Sequence, residues 1–258
     1  MQAVFYVTMF VLGACLGSFL CCQARRLHLR ETKHKKLGSR SVCMYCKKTL
    51  KWYENIPLLS WTIQKGKCRS CHTKIGIAEP LSELGVALAF VLLSINFNYA
   101  LASPLEWAAY VATLLFTLTL AFLAIYDGIY GELPSLCLFF AVIFAAIVFI
   151  LSSLGNFSIL EPIGSVLILG GLYLFLYLIS KGKWVGDGDW ILGVAIGLAL
   201  ASPWLALIVL FVSNVLACLV MLPSVKSSKN HHIHFGPFLV VAYVLVASFS
   251  SLLESVVL

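Results

Sequence analysis

Of the 258 residues, 61% are hydrophobic and only 11% are charged. A soluble domain of this length needs far more charge to cover its surface, so the composition defines an integral membrane protein. It also leaves no room for a large domain outside the bilayer, because nearly everything beyond residues 23–80 is apolar run or short link. Runs of about 20 apolar residues, the length of a bilayer-spanning helix, occupy 3–22, 81–101, 105–126, 134–154, 159–180, 203–222 and 235–256. A shorter run, 190–201, ends at Ser202-Pro203, where proline permits a turn or a new helix start. The expected fold is an all-α integral membrane protein of about eight transmembrane helices. Its expected parts are a first helix over 1–22, a cytoplasmic insert over 23–80 and a membrane core of about seven helices over 81–258. The first run lacks Lys or Arg before it and has 25-RRLHLR-30 after it, so it is expected to be an uncleaved anchor.

Charge orients these segments. Of 18 Lys and Arg residues, 14 lie between Arg25 and Lys74, and the others are Lys181, Lys183, Lys226 and Lys229. Eight crossings with the N-terminus outside put all of them on one side, which the positive-inside rule makes cytoplasmic. Seven crossings would strand Lys226 and Lys229 on the opposite side. The N-terminus is therefore expected outside, with the insert in the cytoplasm. The basic insert suits attraction to anionic lipid, and no nucleic-acid partner is expected.

The insert carries 43-CMYC-46 and 68-CRSC-71. Two such pairs offer four thiolates on two tight knuckles, and Cys43, Cys46, Cys68 and Cys71 are the expected ligands of a structural Zn²⁺. The insert is thus expected to be zinc-ribbon-like, the metal joining two loops of a segment too small for its own core. Two disulfides are the alternative, disfavoured on a reducing cytoplasmic side. His34 and His72 lie nearby and are read as surface residues. Cys15, Cys21, Cys22, Cys137 and Cys218 fall in or at the ends of apolar helices, as small hydrophobes.

Only 11 residues are acidic, so each can be weighed. Glu106, Glu161 and Glu254 sit near outer helix ends, and Glu31 and Glu54 belong to the basic insert. Glu83 falls in the first turn of the second helix, where it complements the helix dipole. Asp127, in 124-AIYDGIYGELP-134, ends the third helix, where a solvated turn residue is the bland reading. Asp187 and Asp189, in 184-WVGDGDWILG-193, reach the same cytoplasmic face. Two acidic clusters at one depth suit acid–base hydrolysis, in which one carboxylate is ionised and its partner protonated. Gly186 and Gly188 lack Cβ and would let an extended substrate backbone approach. Carboxylates in a membrane also mark ion paths, so a proton-linked transporter is a rival. Its acids should lie near midplane on broken helices in corresponding halves. Here they lie at one face, and no internal repeat is evident. A catalytically silent assembly factor that docks through its insert is a further rival. His231, His232 and His234 are read as a solvated loop near a substrate entrance, with an HHxH metal site as the alternative.

The element 186-GDGD-189 has the G-x-G-D form of the intramembrane aspartyl proteases. With 16-LGSFL-20, the two CxxC pairs, 55-NIPLLSW-61, 65-KGKCRSC-71, 80-PLSE-83, 133-LP-134, 181-KGKWVGDGD-189 and 235-FGPFL-239, the chain resembles the bacterial prepilin peptidases, or type IV leader peptidases. The resemblance implies removal of short basic leaders from prepilins or pseudopilins, with Asp127 and Asp189 as the catalytic pair. Gly186, Gly188 and Glu83 would support them, and Asp187, at the variable position, would not be the second catalytic acid. It also implies cleavage after a glycine, followed in many members by N-methylation with S-adenosylmethionine. Four departures stand out. Met44 replaces a proline of the first knuckle, Ser135 an aspartate after Leu133-Pro134, and Ile191 a lysine two residues after Asp189. The segment 20-LCCQARR-26 differs within the region linked to methyl transfer. Neither the particular pilin nor the oligomeric state can be read from the sequence.

Overall fold

The computed structural model describes residues 2–33, 41–154, 160–182, 184–225 and 234–255. Apart from two isolated β-bridges, the regular structure among them is helical. Contacts divide the chain into two units, Met1–Val91 and Leu92–Leu258.

In the first unit, helix α1 spans Gln2–Lys33 and α3 spans Ala78–Ser94, its last turn lying past the unit boundary. The two helices touch through their backbones because Gly13 and Gly17, four residues apart on one face, carry no side chain. A Cβ on Gly13 would lie 2.7 Å from Ala87 Cα, and one on Gly17 would lie 2.5 Å from the Ser82 carbonyl oxygen. Small residues at this spacing let membrane helices approach closely, which explains the glycine of 16-LGSFL-20. The helix does not stop at residue 22 but continues through the basic stretch, and Arg25 forms a salt bridge with Glu79. Between α1 and α3, the insert contributes the short helix α2, Leu59–Ile63, and two hairpin-like knuckles closed by the bridges Val42–Thr49 and Lys67–Lys74.

The second unit contains α4 (Pro104–Tyr130), α5 (Ser135–Ser152), α6 (Leu160–Val166), α7 (Leu172–Ser180), α8 (Asp189–Leu200), α9 (Pro203–Val225), α10 (Gly236–Ser248) and α11 (Ser250–Ser255). A π-helical turn, Leu167–Gly171, joins α6 to α7 in one continuous rod. All eight predicted apolar segments are helical. Five of them, Gln2–Thr32, Pro104–Tyr130, Ser135–Ser152, Leu160–Ser180 and Pro203–Val220, are long and apolar enough to cross a membrane. The second predicted segment ends as a helix at Ser94, short of residue 101.

The start of α4 is fixed by chemistry visible in the sequence. Ser103 caps it, exchanging hydrogen bonds with Glu106, and Pro104 follows at a position that needs no N–H. Its end is set by Gly131, whose φ of +74° lets its N–H close on the Asp127 carbonyl.

Helix α8 is the hub, packing against α5, α6, the π turn, α7, α9 and α10. Its Leu192, Ala195 and Ile196 are fully buried. Its neighbours come close because Gly193 and Gly197 face the backbone of Leu169 and Ser165, where a Cβ would sit 3.0 and 2.8 Å away. At 12 residues α8 is only about 18 Å long, and Ala201 and Pro203 end it and start α9.

Candidate active site and metal centre

Asp127 lies in the last turn of α4 and Asp189 at the first residue of α8; both are buried, with 5% and 6% of their surface exposed. Asp127 does sit in the helix-ending turn, but it is buried rather than solvated. The two carboxylates lie within electrostatic reach of each other, and Asp187 lies within reach of Asp189. Asp187 itself is exposed.

Each buried carboxylate is held by the backbone N–H of a glycine. Gly236 N–H donates to Asp127 Oδ2 at 3.0 Å, across 109 residues of chain, and Gly186 N–H donates to Asp189 Oδ2 at 3.0 Å. Asp127 would be disfavoured at the C-terminal end of α4, but Gly236 opens α10, so the carboxylate meets the positive end of a second helix. Asp189 has the same advantage at the start of its own helix.

The glycines of GDGD serve the fold directly. A Cβ on Gly188 would lie 2.7 Å from Leu133 Cβ, and one on Gly186 would lie 3.2 Å from Asp189 Oδ2. Leu133 of the Leu-Pro pair therefore packs directly against Gly188.

Two further residues border Asp127: the glycine of 235-FGPFL-239 and His234 of the loop read as solvated. Gly236 acts through its backbone, and only its place in Phe235-Gly236-Pro237 marks it. His234, half-exposed, puts Nδ1 3.6 Å from Asp127 Oδ1 and packs on Gly131. It thus borders the carboxylate, while His231 and His232 lie outside the described residues.

Glu83 belongs to the first unit. It is 7% exposed, and its Oε2 accepts the N–H of Leu58, a residue held at φ +62°. It fastens the Asn55–Leu58 turn to α3, in the second turn of that helix rather than the first.

The sulfurs of Cys43, Cys46, Cys68 and Cys71 all lie within 4.8 Å of one another, and each cysteine is a free thiol. The Cys43–Cys71 separation of 3.8 Å matches the edge of a tetrahedron with metal–sulfur bonds of about 2.3 Å. The two knuckles repeat one design. Cys43 N–H donates to Lys48 and Lys47 N–H returns to Cys43; Cys68 N–H donates to Thr73 and His72 N–H returns to Cys68. Lys47 and His72 take equivalent positive-φ positions, at +59° and +55°. His72 therefore turns the chain, while the four thiols supply the ligand set. The Thr73 hydroxyl, at 3.2 Å, and its backbone N–H donate to Cys71 Sγ and lower that thiol to about 6. Met44, in place of a proline, leaves the knuckle closed, and its carbonyl accepts from Lys47 Nζ at 2.7 Å. His34 lies outside the described residues.

A cavity of about 740 Å³ opens within the first unit, lined among others by Cys21, Arg25, Trp61, Glu54, Glu79 and Glu83. Trp61 Nε1 is buried with no hydrogen-bond partner among the described residues.

The architecture is that of a multi-pass helical membrane protein with a four-cysteine insert after its first helix. Residues 11–97 match the family model of the bacterial peptidase A24 N-terminal domain. A prepilin leader peptidase/N-methyltransferase of Aeromonas hydrophila is 33% identical over 221 residues, covering 82% of this chain and 72% of that protein. Its namesake in Bacillus subtilis (strain 168) is 31% identical over 203 residues, 77% of this chain and 75% of that protein. A third, from Myxococcus xanthus (strain DK1622), is 38% identical over 115 residues, 44% of this chain and 33% of that protein. No solved structure gives a significant match. The chain belongs to the prepilin peptidase family.

Proposed function

We propose that this enzyme hydrolyses the leader peptides of prepilins or pseudopilins at the cytoplasmic face of the bacterial inner membrane, with Asp127 and Asp189 as the catalytic pair. The observation that carries this reading is the pairing itself: two buried carboxylates on α4 and α8, within electrostatic reach of each other, each held through Oδ2 by a glycine N–H. The backbone donors fix one oxygen of each group and leave proton transfer to the other. The ionised carboxylate takes a proton from the attacking water. Its protonated partner hydrogen-bonds the carbonyl oxygen, and the proton taken from water then passes from the carboxyl pair to the leaving amine. Gly186 and Gly188 support the pair by letting Asp189 fold back on its own turn and Leu133 close over it.

The parts of this machine are the first helix over 1–22, the insert over 23–80 and the peptidase core over 81–258. Zinc held by the four cysteines would be structural, since four thiolates leave no open coordination position. The residues around the 740 Å³ cavity also fit S-adenosylmethionine. Carboxylates of Glu54, Glu79 and Glu83 suit its sulfonium and hydroxyls, and Trp61 offers a ring and an unused donor. When bound, S-adenosylmethionine supplies an electrophilic methyl group for the α-amine exposed by cleavage. Glu83 would then serve this unit by holding the Leu58 turn. Anionic lipid is the expected neighbour of the basic insert.

Asp127→Asn and Asp189→Asn should each abolish leader removal while the protein still inserts into the membrane. Mobility of a model prepilin on a gel reads the outcome, and normal processing by either variant removes the pair from the mechanism. A labelled methyl donor in the same assay reports methylation separately.

A further inference from the structure

Tyr173 is the second residue of α7, immediately after the π turn Leu167–Gly171. The helix turns Leu172 and Phe175 outward and Tyr173 inward, leaving it 3% exposed. Its hydroxyl has no hydrogen-bond partner among the described residues. Burying an unpaired hydroxyl is unfavourable, and phenylalanine would fill the same space without that cost. Such a group calls for a use outside the folding of the chain.

Its surroundings indicate the use. The hydroxyl lies within electrostatic reach of Asp189, and Ser213 and Asn214 of α9 lie near enough to act on its proton, although neither completes a hydrogen bond of good geometry. The ring packs on Phe235, with centroids 5.3 Å apart. Phe235 directly precedes Gly236, the residue whose N–H holds Asp127. Tyr173 thus touches the segment that fixes one carboxylate, and its hydroxyl lies within electrostatic reach of the other. The π turn contributes to this placement. Its wider turn shifts the register of α7 relative to an uninterrupted α-helix, and such turns recur at functional sites.

We propose that the Tyr173 hydroxyl is a third polar group of the active site, donating a hydrogen bond to the carbonyl oxygen of the scissile peptide beside Asp189. The proposal rests on the reading of Asp127 and Asp189 as the hydrolytic pair. As water adds, a C–O bond forms, the carbonyl π pair moves onto oxygen, and the water proton passes to the ionised aspartate. Tyr173 keeps its own proton throughout and stabilises the charge growing on that oxygen. The C–N bond then breaks as the amine takes up a proton from the carboxyl pair.

The test uses the full-length protein in proteoliposomes with a model prepilin, comparing Tyr173→Phe, Ser213→Ala, Asp127→Asn and Asp189→Asn. Tyr173→Phe should lower kcat roughly 100-fold with a much smaller change in KM. Its thermal midpoint should stay level or rise, because the hydroxyl completes no well-formed hydrogen bond among the described residues. Ser213→Ala should cleave at the normal rate. Normal kcat in Tyr173→Phe beside two inactive aspartate variants would overturn the role of Tyr173 and leave the aspartate pair standing. Cleavage by the aspartate variants would instead remove the pair, and the proposal with it. A rate loss in Tyr173→Phe that Ser213→Ala reproduces, with a fallen thermal midpoint in both, would assign the hydroxyl to packing against α9 and also overturn the proposal.

Discussion

Gly236 has two duties that only glycine can combine. Its N–H holds Asp127 Oδ2 at 3.0 Å, and a Cβ on the same residue would lie 2.7 Å from that oxygen. Gly236→Ala should therefore push the carboxylate out of position and lower leader cleavage roughly 100-fold, since displacements near 1 Å cost that much in a preorganised site. Gly128→Ala is the matched control, because its Cβ would meet Pro237 Cγ at an ordinary 3.7 Å. It should cleave within about threefold of the parent, as expected of a substitution without a steric conflict. Initial rates on a model prepilin, with circular dichroism for helix content, check both; equal rates in the two variants would dismiss the Gly236 contact. Asp127 and Asp189 could be weighed in the sequence because acids are scarce in so apolar a chain, and the family resemblance singled them out as a pair. Gly236 could not, since a backbone donor acting across 109 residues leaves no side-chain signature. Tyr173 was hidden for a similar reason: an aromatic residue in an apolar run reads as packing until its oxygen proves unpaired.

Elements carry a different kind of information. CxxC spacing announces two knuckles because the metal dictates which side chains must converge, and the four sulfurs do converge. Removing one ligand tests that dependence. Cys71→Ser should lose most of the roughly one zinc per chain expected of a four-thiolate site. The insert has little core of its own, so trypsin should then cleave at Lys47, Lys48, Lys65 or Lys67 faster than in the parent. Metal analysis and timed digestion read the two effects; full zinc content in the variant would count against the site. The contact between α1 and α3 is equally specific. Gly17→Ala would place a Cβ 2.5 Å from the Ser82 carbonyl, and a thermal midpoint lowered by the equivalent of about 1–3 kcal/mol is expected for such overpacking. The positions of these helices were legible as apolar runs, but their ends were less so. Helix α1 continues to Lys33 because basic residues propagate a helix readily once it has left the apolar stretch. The π turn had no visible signal, because Leu167–Gly171 is apolar throughout and offers no periodicity to break.

At the scale of the whole molecule, the sites matter only if the substrate can reach them from the side where prepilins are made. The cations favour the proposed topology, since eight crossings put all 18 Lys and Arg residues on one face and seven do not. The eighth crossing depends on the 12-residue α8, which at about 18 Å is well short of a hydrocarbon core of about 30 Å. Its shortness has a use in the proposed mechanism. In that proposal a helix that stops short would set Asp189 below the membrane surface, where water is restricted and opposing carboxylates interact strongly. Gly193 and Gly197 then let the π turn and α6 cover its sides. If α8 crosses, residues on either side of it face opposite compartments. Alkaline phosphatase fused after Ala102 or after Ser202 should be active in the periplasm, and fusions after Gly182 or after Val225 should be inactive. Inverting the reporter, with a fluorescent protein that matures only in the cytoplasm, should light up the second pair alone. Activity of the Val225 fusion in the periplasm would mean that α8 re-enters rather than crosses. That outcome would move Lys226 and Lys229 to the far side and break the single-sided charge distribution on which the cytoplasmic site depends.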